Sequence, residues 1–273
     1  MSLTTIFLYA WVVSAIVMLL LWIVQIKTEN AGTVDVAWSF LTPLVGAWLI
    51  FADDIEAGTR EWLVSAMALF WGFRLGSYLY KRVMNETEDG RYRYLREYCG
   101  KYVHLVMFIF FQIQATWTIL FALPFWAAAR NANPELGLLD FLGLFIWLMA
   151  ITGEVISDQQ LHRFRLNNAN KGKVCDIGLW RYSRHPNYFF EWMQWWAFVV
   201  IGFGSDYWWL TWTGLIVVYV FITRITGVPY TEQQSIRSRG DAYRHYQKTT
   251  SMFFPMPPKD VEFRPSNNPA HLE

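Results

Sequence analysis

The feature that most constrains this chain is a series of long apolar blocks separated by polar segments. We distinguish seven blocks, at residues 4–26, 34–51, 61–80, 103–128, 136–158, 188–203 and 207–226. A helix needs about 20 predominantly apolar residues to cross roughly 30 Å of hydrocarbon, and most blocks approach that length. The pattern therefore predicts an all-α polytopic membrane protein with seven transmembrane helices.

The composition agrees with this prediction. Only 16% of the residues are charged and 54% are hydrophobic, whereas a soluble domain contains about 25% charged residues. The first apolar block is too long for a signal peptide, and it lacks a preceding basic region and a following small-residue cleavage site. We therefore expect this block to remain as a helix.

The basic residues indicate an orientation. Most of the 23 Lys and Arg residues follow the first, third, fifth and seventh blocks, whereas the opposite loops hold only Arg60 and Arg130. Because Lys and Arg concentrate in cytoplasmic loops, the asymmetry predicts an outside N-terminus and a cytoplasmic C-terminus. The protein would then be a multi-pass integral membrane protein, in the inner membrane if the host is a bacterium.

No internal repeat divides the chain, so we expect one membrane domain over residues 1–258. Residues 259–273 are rich in Pro, Asn and charge, which is typical of a disordered tail. The net charge of +1 gives no reason to expect nucleic-acid binding. The cysteines and histidines lack the spacing of metal ligands, so we expect no metal. We expect a monomer surrounded by membrane lipids.

Two ionisable residues lie within or at the edge of apolar blocks. Arg74 lies inside the third block, and spacing places Trp71 and Tyr78 on the same helix face. An ionisable residue at membrane depth indicates function, although Arg74 could instead extend to the interface. Asp35 begins the second block, where it would serve either as a helix cap or as an acceptor for a ligand.

The stretch "LWRYSRHPNYFFEWMQWW" (179–196) combines an aromatic helix with polar groups. Its spacing places Asn187, Tyr188, Glu191 and Trp195 on one face, and Pro186 suits the first turn. Glu191 could orient a ligand amide or ribose, or it could complete a capping box.

Three cationic or ionisable groups, Arg181, Arg184 and His185, precede this helix. Together with the free backbone N–H groups of a helix N-terminus they suit an anion. The alternatives are positive-inside topology and contact with anionic lipid. The glycine-rich nucleotide motifs GxGxxG and Walker A are absent, so any nucleotide must be held by side chains from several segments.

Several short motifs, taken in order, resemble the membrane-embedded steroid 5-alpha-reductase family, in particular its bacterial members. They are "VDVAW" (34–38), "FWGFRLGSYLY" (70–80), "EDGRYRYLRE" (88–97), "SDQQLHRFR" (157–165), "GLWRYSRHPNYFFEW" (178–192) and "GDAYRHYQKTTSMFFP" (240–255). The resemblance implies a seven-helix fold that binds NADPH from the cytoplasm among its last helices. It also implies a lipid-like enone substrate among the first helices, typically a 3-oxo-4-ene steroid, whose β-carbon receives the hydride.

The resemblance also implies site residues. Asn187, Tyr188 and Glu191 match the Asn-Tyr-x-x-Glu signature that contacts the nicotinamide side of the cofactor. Further cofactor contacts would be Arg74, Tyr78, Arg181, His185, Asn168, Lys171, Arg237, Arg244 and Tyr246, with Asn168 and Lys171 near the adenosine or its 2′-phosphate.

The chain departs from the family pattern at three places. Phe190 stands where many members have Gly, which predicts looser helix packing. Trp71 stands where the steroid enzymes have a Tyr, and an indole has no phenolic proton to donate. Asp35 occupies the first position of their Gln-Glu pair. We therefore predict Asp35, Tyr78 and Glu191 as catalytic residues, and Asp35, Trp38 and Trp71 as substrate-binding residues.

Two other function classes remain open. Membrane methyltransferases of isoprenylcysteine or phospholipid type, which use S-adenosylmethionine, carry a similar Arg-His-Pro-x-Tyr stretch. "RHPNY" is followed here by Glu232 and Arg237, which fit that pattern too. A seven-helix transporter or receptor is the non-enzymatic alternative, and it predicts no tight nucleotide binding.

Overall fold

A computed structural model describes residues 2–52 and 58–262, which fold into ten α-helices and contain no β-strand. The helices are α1 (Leu3–Thr28), α2 (Thr33–Phe51), α3 (Thr59–Asn85), α4 (Gly90–Cys99), α5 (Val103–Ala129), α6 (Leu138–Leu166), α7 (Pro186–Ile201), α8 (Trp208–Val220), α9 (Val228–Arg239) and α10 (Asp241–Thr249). A 3-10 turn, Gly178–Arg181, precedes α7, and a π-helical turn, Phe221–Ile225, follows α8.

Each of the seven predicted blocks coincides with a helix, but within the described residues five segments are long and apolar enough to cross a membrane. These segments are Leu3–Thr28, Thr33–Phe51, Gly90–Ala129, Leu138–Leu166 and Trp208–Arg239. The helix α7 has only 16 residues, and α3 carries charged residues near both of its ends. The described part of the chain is thus that of a multi-pass helical membrane protein, and the seven-span count remains a prediction.

The chain divides into two compact units. Unit 1 comprises Met1–Phe141 and Phe198–Gly214, and unit 2 comprises Leu142–Ala197 and Leu215–Glu273. The helices α6, α7 and α8 each contribute residues to both units. Of the tail predicted over 259–273, residues 263–273 lie outside the described residues.

Close helix packing organises unit 1. A Cβ atom added to Gly72 of α3 would lie 2.3 Å from Pro43 Cγ and 2.5 Å from the carbonyl oxygen of Ser39 in α2. Small residues allow membrane helices to approach in this way. Beside this contact, Trp38 meets Trp71 edge to face, with ring centroids 6.1 Å apart. The α2–α3 pair is therefore a tightly packed element that carries several of the predicted site residues.

Unit 2 is organised by an aromatic cluster on α7. The ring of Phe253 lies 5.9 Å from that of Phe189 and 5.7 Å from that of Trp192. The backbone of the same C-terminal segment pairs with the turn before α7, because Arg184 N donates to the carbonyl of Ser251 over 2.8 Å. The segment after α10 therefore completes the N-terminal end of α7.

The looser packing predicted at Phe190 is wrong. A Cβ atom added to Gly153 of α6 would lie 2.4 Å from Cε1 of Phe190, so the ring lies directly against the helix backbone. The glycine on α6 leaves room for the large side chain of Phe190 on α7.

Candidate functional site

Two polar clusters contain predicted site residues, one in each unit. The Asp35 cluster in unit 1 consists of Asp35, Arg82, Asp89, Arg91 and Tyr92. The Arg184 cluster in unit 2 consists of Arg184, His185, Tyr188, Glu232 and Gln247.

The Asp35 cluster joins the start of α2 to the start of α4. The phenol of Tyr92 donates to Asp35 Oδ1 over 2.7 Å, and Arg91 Nη2 donates to Asp35 Oδ2 over 3.3 Å. Asp89 caps α4 by accepting from Arg91 N over 3.0 Å, and Arg82 also donates to it. Asp35 is in the first turn of α2, where the helix dipole favours an anion. Asp35 therefore interacts favourably with the dipole of α2 and also accepts a hydrogen bond from the phenol of Tyr92.

A small cavity adjoins this cluster. Its volume is about 20 Å³, and Asp35, Arg82 and Asp89 are among its lining residues. A cavity of that size holds roughly one water molecule. The Asp35 cluster therefore offers polar atoms to a small group rather than a pocket for a whole ligand.

The Arg184 cluster is a closed network around Glu232. Arg184 Nε donates to Glu232 Oε1 over 2.7 Å, and Gln247 Nε2 donates to Oε2 over 2.7 Å. Arg184 Nη1 donates to the carbonyls of Gln247 and Thr250 over 3.0 and 2.6 Å. Because a carboxylate and two carbonyls occupy it, the Arg184 guanidinium stabilises the fold and is not directed at an external anion.

His185 is enclosed in the same network. Its Nε2 lies 3.2 Å from Glu232 Oε1, and its ring stacks on that of Tyr188 at 5.4 Å. Burial lowers the pKa of His185, and the hydrogen bond to Glu232 opposes this shift. Arg184 and His185 are therefore held by internal partners and do not present free side chains to the anion that the sequence predicted at the start of α7.

A row of polar side chains continues along α7. Asn187 Nδ2 donates to Asp158 Oδ1 of α6 over 3.1 Å, and Glu191 lies one turn further along, half-buried. One turn deeper, Gln194 is 1% exposed, and neither its Nε2 nor its Oε1 has a hydrogen-bond partner among the described residues. A buried carboxamide with no partner is costly. Gln194 therefore has both carboxamide atoms available for a polar group outside the described chain.

The remaining predicted residues of unit 1 lie on α2 and α3. Trp71 is buried and Arg74 is half-buried, whereas Tyr78 is 64% exposed. Trp38 contacts both Trp71 and Phe121. The structure thus brings Trp38 and Trp71 together and leaves Tyr78 on the surface of the chain.

The remaining predicted residues of unit 2 are of two kinds. The phenol of Tyr246 is buried and donates to the carbonyls of Trp180 and Ser183, so it fastens the turn before α7. The other predicted residues are polar and exposed, namely Asn168, Lys171, Arg181, Arg237 and Arg244. Within residues 2–52 and 58–262 no group of three or more His, Cys, Asp or Glu could hold a metal ion.

Sequence reasoning missed Tyr92 and Gln194, and it also missed four residues of the two clusters: Arg82, Asp89, Arg91 and Gln247. Tyr92 lies in the quoted "EDGRYRYLRE" motif, but only the fold pairs it with Asp35. Gln194 is three residues after Glu191 in an apolar helix, and that spacing could have singled it out.

The long apolar helices, with ionisable groups clustered at helix ends, are those of a helical membrane protein. The chain belongs to the family described as "Protein of unknown function (DUF1295)", whose model matches residues 21–250. It is also similar to an uncharacterized protein from Schizosaccharomyces pombe, with 26% identity over 266 residues that cover 86% of this chain and 75% of that protein. No solved structure matches the chain.

Proposed function

We propose that this protein is a membrane-embedded, NADPH-dependent reductase that transfers hydride to the C=C bond of a lipid-like enone. A 3-oxo-4-ene steroid is the substrate class that the resemblance favours. In this proposal all seven blocks span the membrane, and the cofactor enters from the cytoplasmic side, where the C-terminus lies. The ordered motifs along most of the chain support this assignment.

The observation that carries the proposal is the buried carboxamide of Gln194. Its donor and its acceptor both lack partners in the described chain, and a nicotinamide carboxamide offers one acceptor and a pair of donors in return. Asn187 and Glu191 stand on the same helix and match the signature that contacts the nicotinamide in the related family. The residues present therefore fit the nicotinamide end of NADPH.

The phosphate end needs cations that can reach water. Lys171, Arg181, Arg237 and Arg244 are exposed in unit 2, and guanidinium groups bind phosphate through paired hydrogen bonds. These four residues are our candidates for the phosphates, whereas Arg184 is already occupied by Glu232 and two carbonyls.

The enone needs a hydrogen-bond donor for its carbonyl oxygen and a source for one proton. NADPH supplies the hydride when bound. Among the predicted groups of unit 1, Tyr78 is largely exposed, whereas Asp35 holds the buried phenol of Tyr92 at 2.7 Å. We assign the carbonyl contact and the proton to the Asp35–Tyr92 pair, and the apolar wall to Trp38 and Trp71.

Replacing Gln194 by Met tests the cofactor assignment. Because Gln194 has no partner in the described chain, an apolar residue of similar length leaves the unliganded protein as stable or more stable. The same change weakens NADPH binding roughly thirtyfold, since two hydrogen bonds are worth about 1 kcal/mol each. Energy transfer from the 16 tryptophans to the reduced nicotinamide reports the binding.

Gln247 is the matched control, because its amide donates to Glu232. Gln247→Met is expected to lower the unfolding temperature and to leave NADPH affinity nearly unchanged. An equal loss of stability in both variants, with unchanged affinity in Gln194→Met, contradicts the assignment. Oxidation of NADPH against a panel of lipid enones, with product analysis, tests the reaction itself.

One observation favours a second candidate, a methyltransferase that uses S-adenosylmethionine. The structure joins the two parts of the methyltransferase-like pattern, because Arg184 and His185 of "RHPNY" both contact Glu232. We rank it second because Glu232 has no oxygen left over from these internal contacts. Thermal stabilisation by S-adenosylmethionine and not by NADPH would reverse the ranking.

A further inference from the structure

A second site lies on α6, in a groove bordered by the turn before α7. Its volume is about 680 Å³, which is within the range of roughly 300–1,000 Å³ that ligand pockets occupy. Its lining is almost wholly apolar and consists of Phe145, Leu148, Met149, Thr152, Gly153, Ile156, Gln160, Gly178, Leu179, Tyr182 and Phe190.

Two close contacts fix the shape of this groove. The ring of Phe190 lies against the backbone of α6 at Gly153 and forms part of the wall. At the other end, Gln160 Oε1 accepts from Leu179 N over 2.8 Å, and Gly178 adopts a φ of 58° that favours glycine. The groove is therefore an open, shallow depression whose borders are set by these contacts.

The groove is separate from the polar row of the proposed cofactor site. Met149, Thr152 and Ile156 follow one stripe of α6. Glu154 and Asp158 lie two residues from Ile156 in either direction, and at about 100° per residue they face the opposite side. A ligand in the groove consequently does not compete with one at Asn187 and Asp158.

Cations stand at one end of the groove. Arg163 is seven residues beyond Ile156, so it continues the same stripe, and it is exposed. Arg181 is exposed next to the lining residue Tyr182. The helix α6 is itself long and apolar enough to cross a membrane. An apolar groove along such a helix with a cationic end is complementary to an anionic amphiphile.

We propose that this groove binds one anionic glycerophospholipid, with an acyl chain along α6 and its phosphate at Arg163. The site goes beyond the reductase proposal and does not depend on it. Its occupant is a lipid of the surrounding membrane, and its role is to hold the turn before α7 against α6.

Native mass spectrometry of the full-length protein, released from vesicles of equal phosphatidylglycerol and phosphatidylcholine, tests the proposal without NADPH. We expect one phosphatidylglycerol to be retained in preference to phosphatidylcholine. Met149→Trp, which fills the groove, abolishes retention, and Arg163→Gln lowers it about fivefold, the usual effect of one basic residue near anionic lipid.

Arg165→Gln is the matched control, because Arg165 is exposed on α6 but points away from the groove stripe. It is expected to retain the lipid. Equal retention of the two lipids, or equal losses in the Arg163 and Arg165 variants, overturns the proposal. Because Arg163 and Arg165 are on the surface, both variants are expected to fold, and their unfolding temperatures check this.

Discussion

The Asp35 cluster and the Arg184 cluster contain similar residue types but differ in how their charges are satisfied. In the Arg184 cluster one carboxylate is enclosed by Arg184, His185 and Gln247, and the side chains of Arg184 and Glu232 are only 10% and 14% exposed. In the Asp35 cluster the side chains of Arg91 and Asp35 are 34% and 29% exposed, and a cavity adjoins them.

The difference separates an enclosed structural network from a more accessible one. Buried ion pairs contribute little net stability, but the loss of one partner is costly because a charge is left uncompensated. The Arg184 cluster uses its hydrogen bonds to fasten the C-terminal segment to the start of α7. The Asp35 cluster keeps polar atoms accessible, so it is the better candidate for chemistry.

The largest expected effect is that of removing the cation from the closed cluster. Arg184→Met leaves Glu232 without its guanidinium and two carbonyls without their donor. We expect the free energy of unfolding to fall by about 3–5 kcal/mol. Denaturant unfolding in detergent micelles measures this.

Arg244→Met serves as the comparison, because Arg244 is exposed in the same unit. A surface substitution of this kind changes stability by less than about 0.5 kcal/mol. Similar small losses in both variants would mean that the Arg184 cluster is not a structural network.

A smaller effect is expected from the open cluster. Tyr92→Phe removes a hydrogen bond to a carboxylate that Arg91 still contacts, so we expect a loss of about 1.5 kcal/mol. If the Asp35–Tyr92 pair acts on the enone, the turnover number falls by much more than the small loss of stability explains. NADPH affinity stays constant. Enone turnover and NADPH titration on the same preparation separate these quantities.

The control for this change is Tyr94→Phe, two residues away on α4, because Tyr94 is exposed. It should leave both stability and turnover unaltered. A Tyr92→Phe protein with full turnover would remove the Asp35 cluster from the reaction.

The smallest effect is a pH dependence that belongs to the Arg184 cluster. Because burial lowers the pKa of His185 below its ordinary value near 6.5, the unfolded chain binds more protons there than the folded one. Stability from neutral His185 is therefore complete above about pH 6.5 and is lost as the pH falls further. The effect is small because the hydrogen bond to Glu232 opposes that of burial.

Unfolding temperatures measured from pH 8 to pH 5.5, a range chosen around the usual histidine value of about 6.5, check this sign. His185→Asn should flatten the acid side of the curve relative to wild type. His162→Asn, at an exposed position, should not. A wild-type protein that becomes more stable on acidification would contradict the direction of the shift.

The helices were largely predictable because apolar blocks and helices follow the same physical requirement. Each block coincides with a helix, and Pro186 is the first residue of α7, as its missing N–H suggests. The contact of Phe190 with Gly153 was not predictable, since the two residues are 37 positions apart and only packing relates them.

The residue types of the candidate sites were predictable from the sequence, but the partners that these residues contact were not. The sequence singled out Asp35, Arg184 and His185, yet it gave no means of knowing that Tyr92 and Glu232 would reach them. An exposed and an enclosed arginine look alike in a sequence, because the difference arises from carbonyl groups of distant segments. For Arg184 those groups lie 63 and 66 residues further along the chain.

This separation has a consequence for biosynthesis. The backbone N–H and the guanidinium of Arg184 donate to the carbonyls of Gln247, Thr250 and Ser251. These hydrogen bonds cannot form until those residues leave the ribosome, long after α7 has been made. Glu232 is made before these carbonyls, so during that interval the carboxylate is available to Arg184 but the carbonyl partners are not. Completion of the Arg184 cluster is thus a late step in maturation. A ribosome stalled before residue 247 would leave the start of α7 without its hydrogen bonds to the C-terminal segment.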